Sequence, residues 1–327
     1  MRRFAAPVTR EHAITNSSSP ATRATRLALI ALAVGIAGVG FAPIFMRLSD
    51  LGPNATALYR VAFALPFLLL WLSLERRPNV FSERPALAKT AAVRGIRRAD
   101  WWLLALSGLF WSGDLVFWHW SITLTNVANS TFFACSSPIF VILGAWLFFG
   151  ERISRGFLGG FALTIVGGSC LLGASIAFGG GDLLGDAFGI ITAFFFGSYL
   201  LTIKHLRGNL PTGAIMFWSG LFSLPGLVLA ALLTGESFVS SSLLGWSMII
   251  GLALIVHVLG QGLAAYALAH LPASFASVAF LGEPVMAAIL GWIILAEALG
   301  PLQGAGCIII LAGVWLAQRF GVQKNIS

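Results

Sequence analysis

Charge is what this chain has least of. Asp, Glu, Lys and Arg make up 10% of its 327 residues, against about 25% in soluble domains. With 58% hydrophobic residues and a mean hydropathy of +0.90, that shortage excludes a disordered chain and argues against a water-soluble enzyme. Cysteine is also rare. Cys135, Cys170 and Cys307 each sit inside an apolar run with no second Cys or His at metal-ligand spacing, so neither a disulfide scaffold nor a metal site is expected. No Lys-Ser/Thr pair follows the glycine run Gly179–Gly181, which reads as a turn and not a phosphate loop. Without a nucleophile–base pair or a zinc motif, no catalytic residue and no cofactor is expected. The net charge of +8 would suit nucleic acid only on one basic face of a soluble domain. Here the basic residues lie between apolar runs, so no nucleic-acid partner is expected, and composition implies membrane lipid instead.

What the chain has in abundance is apolar runs of about 20 residues, the length that crosses a bilayer as a helix. Ten spans follow: Leu27–Leu48, Ala55–Leu74, Trp101–Ile122, Leu124–Phe149, Phe157–Ile176, Leu184–Ile203, Pro211–Leu233, Leu243–Leu268, Ala273–Ala296 and Leu302–Gln318. Short connections make consecutive helices antiparallel neighbours, so the expected fold is an all-α membrane protein. Residues 1–26, with five arginines and a serine run, are expected to form a disordered cytoplasmic tail, and 320–327 a second one. The first apolar run is too long for the core of a cleaved signal peptide and reads as a retained helix. With the N-terminus inside, every Lys and Arg except Arg47 and Arg60 falls on the cytoplasmic side or in the tails. The outer loops carry Asp50, Asp182, Glu236 and Glu297. That segregation obeys the positive-inside rule and puts both termini in the cytoplasm. The basic stretch Lys89–Arg98 of the long second loop either lies on anionic headgroups or simply holds the topology.

A shift of 146 residues superposes the fourth and fifth spans on the ninth and tenth. Pro138 then meets Pro284, Trp146 meets Trp292, Glu151 meets Glu297, Gly160 meets Gly306 and Gly167 meets Gly313. These are residue types with positional meaning, which a chance match of Leu with Ile lacks. Five helices per repeat, an odd number, turn the second copy upside down. The expectation is two inverted five-helix repeats, residues 27–177 and 183–319. Inverted repeats recur in secondary transporters, where two similar halves exchange conformations around a central site.

Two such halves, each ending in Pro-x7-Trp-x4-Glu with a glycine-rich helix after it, resemble the drug/metabolite transporter superfamily in its EamA branch. The segments that carry the resemblance run from Ser137-Pro138-Ile139 to Gly150-Glu151-Arg152, and from Gly282-Glu283-Pro284 to Ala296-Glu297. The resemblance implies a permease of the bacterial inner membrane. Members similar to this chain export amino acids, metabolites or toxic compounds, often in exchange for protons, while others import.

Ionisable residues at bilayer depth are costly and usually mark a pathway. Arg60, Asp114, His119, His257 and Glu283 are the candidates. Arg60 and Asp114 lie at similar levels near the outer ends of their helices, which predicts an interaction between them. His257 and Glu283 share a level near the midplane. A carboxylate beside an imidazole can change protonation near neutral pH, so Glu283, assisted by His257 and then Asp114, is the expected proton-coupling group. Trp111, Asp114 and Trp118 recur on one helical face, which suits a solute with an apolar or cationic part and suits helix packing equally well. Gln261, Asn129, Ser137 and Tyr199 are further candidates for the cavity. Arg60, Pro138, Pro284, Glu151 and Glu297 are expected to act in structure or gating. Trp101, Trp102 and Trp120 fit an interfacial belt.

The expected function is secondary transport of a small organic solute (metabolite, amino acid or drug-like) by alternating access, as a proton-coupled exporter acting as monomer or homodimer. An uptake permease or facilitator of the same fold is the alternative. An intramembrane enzyme and a sensory or structural membrane protein are the readings of another class.

Overall fold

A computed structural model describes residues 20–75, 96–124, 130, 133–172, 183–296, 299–320 and 322–324. The described helices are α1 Pro20–Val39, α2 Ala42–Leu48, α3 Pro53–Glu75, α4 Arg98–Leu124, α5 Ser137–Phe149, α6 Arg155–Leu172, α7 Leu183–Leu206, α8 Thr212–Leu233 and α9 Leu243–Gly251. A π-helical stretch, Leu252–Gln261, joins α9 to α10 Gly262–Ala267; α11 Ala273–Phe280, α12 Glu283–Leu295 and α13 Pro301–Phe320 complete the set. Among the described residues, seven helical segments are long and apolar enough to cross a membrane. Large apolar side chains such as Leu147, Phe148 and Ile293 point away from the bundle, as do Trp146 and Trp292. In water such a surface would be an aggregation site; in lipid it is the solvated face.

Helix α1 begins at Pro20, ahead of the apolar run, because proline fits the first helical turn, where its missing N–H has no partner to lose. Val322–Lys324 (β2) pairs antiparallel with Glu151–Ile153 (β1), with Glu151 opposite Lys324. Three-residue strands carry no alternation for a sequence to show.

Three of the expected spans are broken. The first is interrupted by a turn at Gly40-Phe41 before α2, another at Cys135-Ser136 before α5, and a third at Leu281-Gly282 before α12. Pro43, Pro138 and Pro284 each stand in the first turn of the helix that follows. Proline cannot donate to the carbonyl one turn earlier, so the chain closes tight bonds just ahead of it. Ser136 N–H donates to Phe133 O at 3.0 Å and Gly282 N–H to Ala279 O at 2.9 Å.

Helices α5 and α12 also end alike. Gly150 (φ 63°) and Ala296 (φ 55°) both adopt the left-handed conformation, and their N–H groups donate to Ala145 O and Gly291 O. Every one of these positions is offset by 146 residues. The following helices, α6 and α13, cross backbone to backbone. A Cβ at Gly160 would stand 2.5 Å from Ala317 N and 2.7 Å from Gly313 O; one at Gly306 would stand 2.5 Å from Leu171 N and 2.7 Å from Gly167 O. Glycine is required there because nothing else lets the two backbones approach so closely.

Carboxylates seal the helix ends. Glu75 at the end of α3 accepts from Gly213 N–H at the start of α8 at 2.8 Å, and Glu236 just beyond α8 accepts from Ala55 N–H at the start of α3 at 2.8 Å. The two helices thus cap each other with negative charge at each N-terminus, where the helix dipole favours it. Asp50 anchors the neighbouring loop through Ser240 Oγ, Ser241 N–H and Ser241 Oγ. Those donors hold its carboxyl well below the usual carboxylate range. The anchor is therefore in place at neutral pH and is lost only as acid titrates through that lowered value.

Two substitutions test this packing. Gly160→Ala should lower thermal stability in detergent, by about 1–3 kcal/mol from overpacking. Gly159→Ala, whose Cβ meets nothing within 4 Å, should be neutral or slightly stabilising. Ala296→Gly should raise stability by roughly 0.5–1 kcal/mol by relieving the left-handed alanine.

Candidate functional site

The helix breaks and the buried charges meet in one cavity of about 740 Å³, a volume typical of small-molecule sites. It lies among α1–α2, α3, α4, the turn before α5, α7, the π-helical stretch, α12 and α13. Arg60 on α3, Asp114 and His119 on α4, Thr192 on α7, Gln261 and Glu283 supply polar groups, while Trp111, Trp118, Leu115 and Phe196 are among the apolar walls. The cavity runs from buried Leu252 and Gln261 out to exposed Arg47 and Pro43.

The opposite end of the bundle is closed by charged groups bound to backbone. Glu151 accepts from Ala273 N–H at 2.9 Å, Ser274 N–H at 3.2 Å and Ser274 Oγ at 2.5 Å, which caps α11. Lys204 Nζ donates to Leu268 O at 2.7 Å and Leu271 O at 2.5 Å. Arg207 Nε donates to Ala265 O at 3.1 Å.

Trp111 is the fixed plate of the site. It is 3% exposed and packs against the ring of Tyr199 at 4.8 Å and of His257 at 5.6 Å. The Arg60 guanidinium lies 5.3 Å over it, a cation–π contact in a desolvated setting. Arg60 is also the positive charge that interacts with Glu283, Asp114, Tyr199, His119 and His257. Both carboxylates face the cavity, and neither accepts a hydrogen bond from a described residue.

The expected site residues fall into groups. Trp111, Asp114, Trp118, Ser137, Gln261, Glu283, Pro284 and Arg60 line the cavity. Tyr199 and His257 do not: they stand behind Trp111, with the Tyr199 hydroxyl donating to Met216 Sδ at 3.7 Å. The two expected pairings differ among the described residues. Arg60 interacts with Asp114 through charge, without a hydrogen bond or close ion pair, and its guanidinium lies over the Trp111 ring. No hydrogen bond joins His257 to Glu283, and the His257 ring packs against Trp111. Residues at one depth need not share one helix face. Pro138 is buried beside the cavity without lining it, and Glu151 serves the closed end. Asn129 and Glu297 lie outside the described residues.

Sequence reasoning singled out His119 as an ionisable group at bilayer depth, and it is 2% exposed and lines the cavity. It missed Thr192 and Gln303, for which no pattern gives a signal. It also missed Pro43, which the Gly40-x-x-Pro43 spacing inside an apolar run could have revealed as a third break.

Apolar helices of membrane length around a cavity with charged walls define a multi-pass membrane protein. The model of the EamA-like transporter family matches residues 26–173 and 183–318, and the chain belongs to that family. It is 26% identical over 209 residues to the pseudopaline exporter of Pseudomonas aeruginosa, covering 64% of this chain and 72% of that protein. It is 29% identical over 183 residues to a probable amino-acid metabolite efflux pump of Salmonella typhimurium, covering 53% of this chain and 61% of that protein. One solved structure aligns with a TM-score of 0.66 over 91% of this chain and 97% of its own, at 16% identity. At that identity the likeness concerns the fold alone.

The different burial of the two tryptophans yields a prediction. Trp111→Ala should cost about 3 kcal/mol of stability, as emptying a packed aromatic site does. Trp118→Ala, half-buried on the cavity wall, should cost less than half of that. Thermal unfolding of the purified variants checks both.

Proposed function

We propose that this protein is a proton-coupled exporter of small organic solutes, metabolite, amino-acid or drug-like, working by alternating access with the cavity open at its outer end. The carrying observation is the pair of carboxylates, Asp114 and Glu283, that face a mostly apolar cavity without a hydrogen-bond donor among the described residues. A carboxylate so placed exchanges protons with whatever water enters, and its charge decides which solutes the cavity accepts.

Several features support the transport cycle. The geometry around α5–α6 and α12–α13 repeats at an offset of 146 residues. The crossing of α6 on α13 maps onto itself when the two copies are exchanged, the relation expected of ten crossings in two inverted five-helix repeats. The reciprocal capping of α3 and α8 by Glu236 and Glu75 has the same sense. In an inverted pair, a cavity open at one end in one conformation opens at the other when the halves swap shapes. Lys204, Arg207, Arg152 and Arg155 lie at the closed end, which the positive-inside rule assigns to the cytoplasm. The pairing of β2 with β1 brings the C-terminal segment to that end as well. Exporter is favoured over importer because the two curated relatives are named as an exporter and an efflux pump.

The test is flux. A solute panel is screened by thermal stabilisation of the purified chain, and the hits are followed in proteoliposomes under an imposed pH gradient. Uptake against its own gradient, driven by protons, is the expected result. Glu283→Gln should retain binding but lose the pH dependence. An unchanged pH profile in that variant would remove Glu283 from the coupling role.

A further inference from the structure

Buried polar atoms are nearly always hydrogen-bonded, yet along one stretch of the cavity several are not. Arg60 Nε, Trp111 Nε1, both ring nitrogens of His119 and Thr192 Oγ1 have no hydrogen-bond partner among the described residues. All four residues line the cavity, and Arg60, Trp111, His119 and Thr192 are 6%, 3%, 2% and 3% exposed. They are packed into place rather than waving on a surface.

The chemistry of the set is one-sided. Arg60 offers five N–H groups and accepts nothing. Trp111 Nε1 is a donor only, and His119 and Thr192 can each add one more. The acceptors within the cavity that could serve them, Asp114 and Glu283, are not hydrogen-bonded to Arg60. The guanidinium carbon instead lies 5.3 Å over the Trp111 ring, a cation–π contact that uses none of its N–H groups and leaves them available to a planar oxyanion. Unpaired donors around a fixed cation call for a ligand that brings acceptors and negative charge.

We propose that Arg60, with Trp111 Nε1 and His119, forms a carboxylate-binding subsite, so that the transported solute carries a carboxylate group. The proposal rests on the transporter reading and narrows it. A solute with an apolar body has Trp118 and Phe196 to pack against, and a solute ammonium would find Asp114 or Glu283 on the opposite charge of the same chamber. A bare amine satisfies the carboxylates and leaves the Arg60 donors unmet, whereas a carboxylate satisfies the donors. Arg60 is thereby a specificity residue, beyond the structural or gating part that its place in the sequence suggests.

The test uses the purified full chain and three probes of matched size: L-phenylalanine, 3-phenylpropanoate and phenethylamine. Binding is read by thermal stabilisation over a millimolar range. The two carboxylates should bind roughly 10-fold or more tightly than phenethylamine, the factor expected of charged hydrogen bonds. Arg60→Gln should erase that ratio, Arg60→Lys should restore part of it, and Trp111→Phe, which keeps the ring and removes Nε1–H, should reduce it several-fold. Equal binding of phenethylamine, a ratio that persists in folded Arg60→Gln, or no binding of any probe would overturn the subsite. Counterflow of L-phenylalanine in proteoliposomes separates the two claims. Discrimination in binding without exchange sinks the transporter reading and leaves the subsite; exchange without discrimination does the reverse.

Discussion

An unpaired polar group costs most where no water can take its partner's place, and that cost sorts the described ionisable side chains of this protein by depth. At the helix ends, carboxylates and cationic side chains are satisfied by backbone. Glu75, Glu151 and Glu236 accept from the first N–H groups of α8, α11 and α3, while Lys204 and Arg207 donate to carbonyls near the end of α10 and beyond it. Each bond disposes of two liabilities together, a charge at the membrane edge and a helix terminus without partners. In the middle of the bundle, Arg60, Asp114 and Glu283 have no such backbone to use. They are tolerable there because a cavity reaches them, and the cavity exists because three helices break around it.

The breaks follow from the same constraint. A proline within an apolar run frees a carbonyl one turn earlier, and in lipid that carbonyl would be stranded. Pro43 and Pro284 line the cavity, and the tight turns before Pro138 and Pro284 reclaim part of the lost bonding. Irregular backbone at membrane depth occurs where it is covered by protein or faces a wet chamber. The chamber, the breaks and the buried charges are thus one feature seen three ways.

The all-helical membrane class was legible in the sequence, because apolar length is a one-dimensional signal. The matching turns and caps at an offset of 146 residues were legible too, through Pro138 with Pro284 and Gly160 with Gly306, since proline and glycine report backbone geometry directly. Depth along a helix was read well enough to find Arg60, Asp114, Glu283 and Gln261. Azimuth was harder to read. Arg60 was matched to Asp114 and His257 to Glu283 by level; the first pair does interact through charge, while the His257 ring packs on Trp111 without a hydrogen bond to Glu283. In a helix hydrophobic all round, no amphipathic stripe tells which face is inward.

The two halves share packing but not chemistry. Helices α5 and α12 begin after the same turn, place proline at the same position and end in the same left-handed cap, yet one begins with Ser137 and the other with Glu283. Shared packing follows from shared proline and glycine, which set the backbone, while the side chain at each break is free to differ. Asp114 and Glu283 already give the chamber two carboxylates. A third in place of Ser137 would add repulsion and its own demand for solvation, whereas a serine there brings no charge.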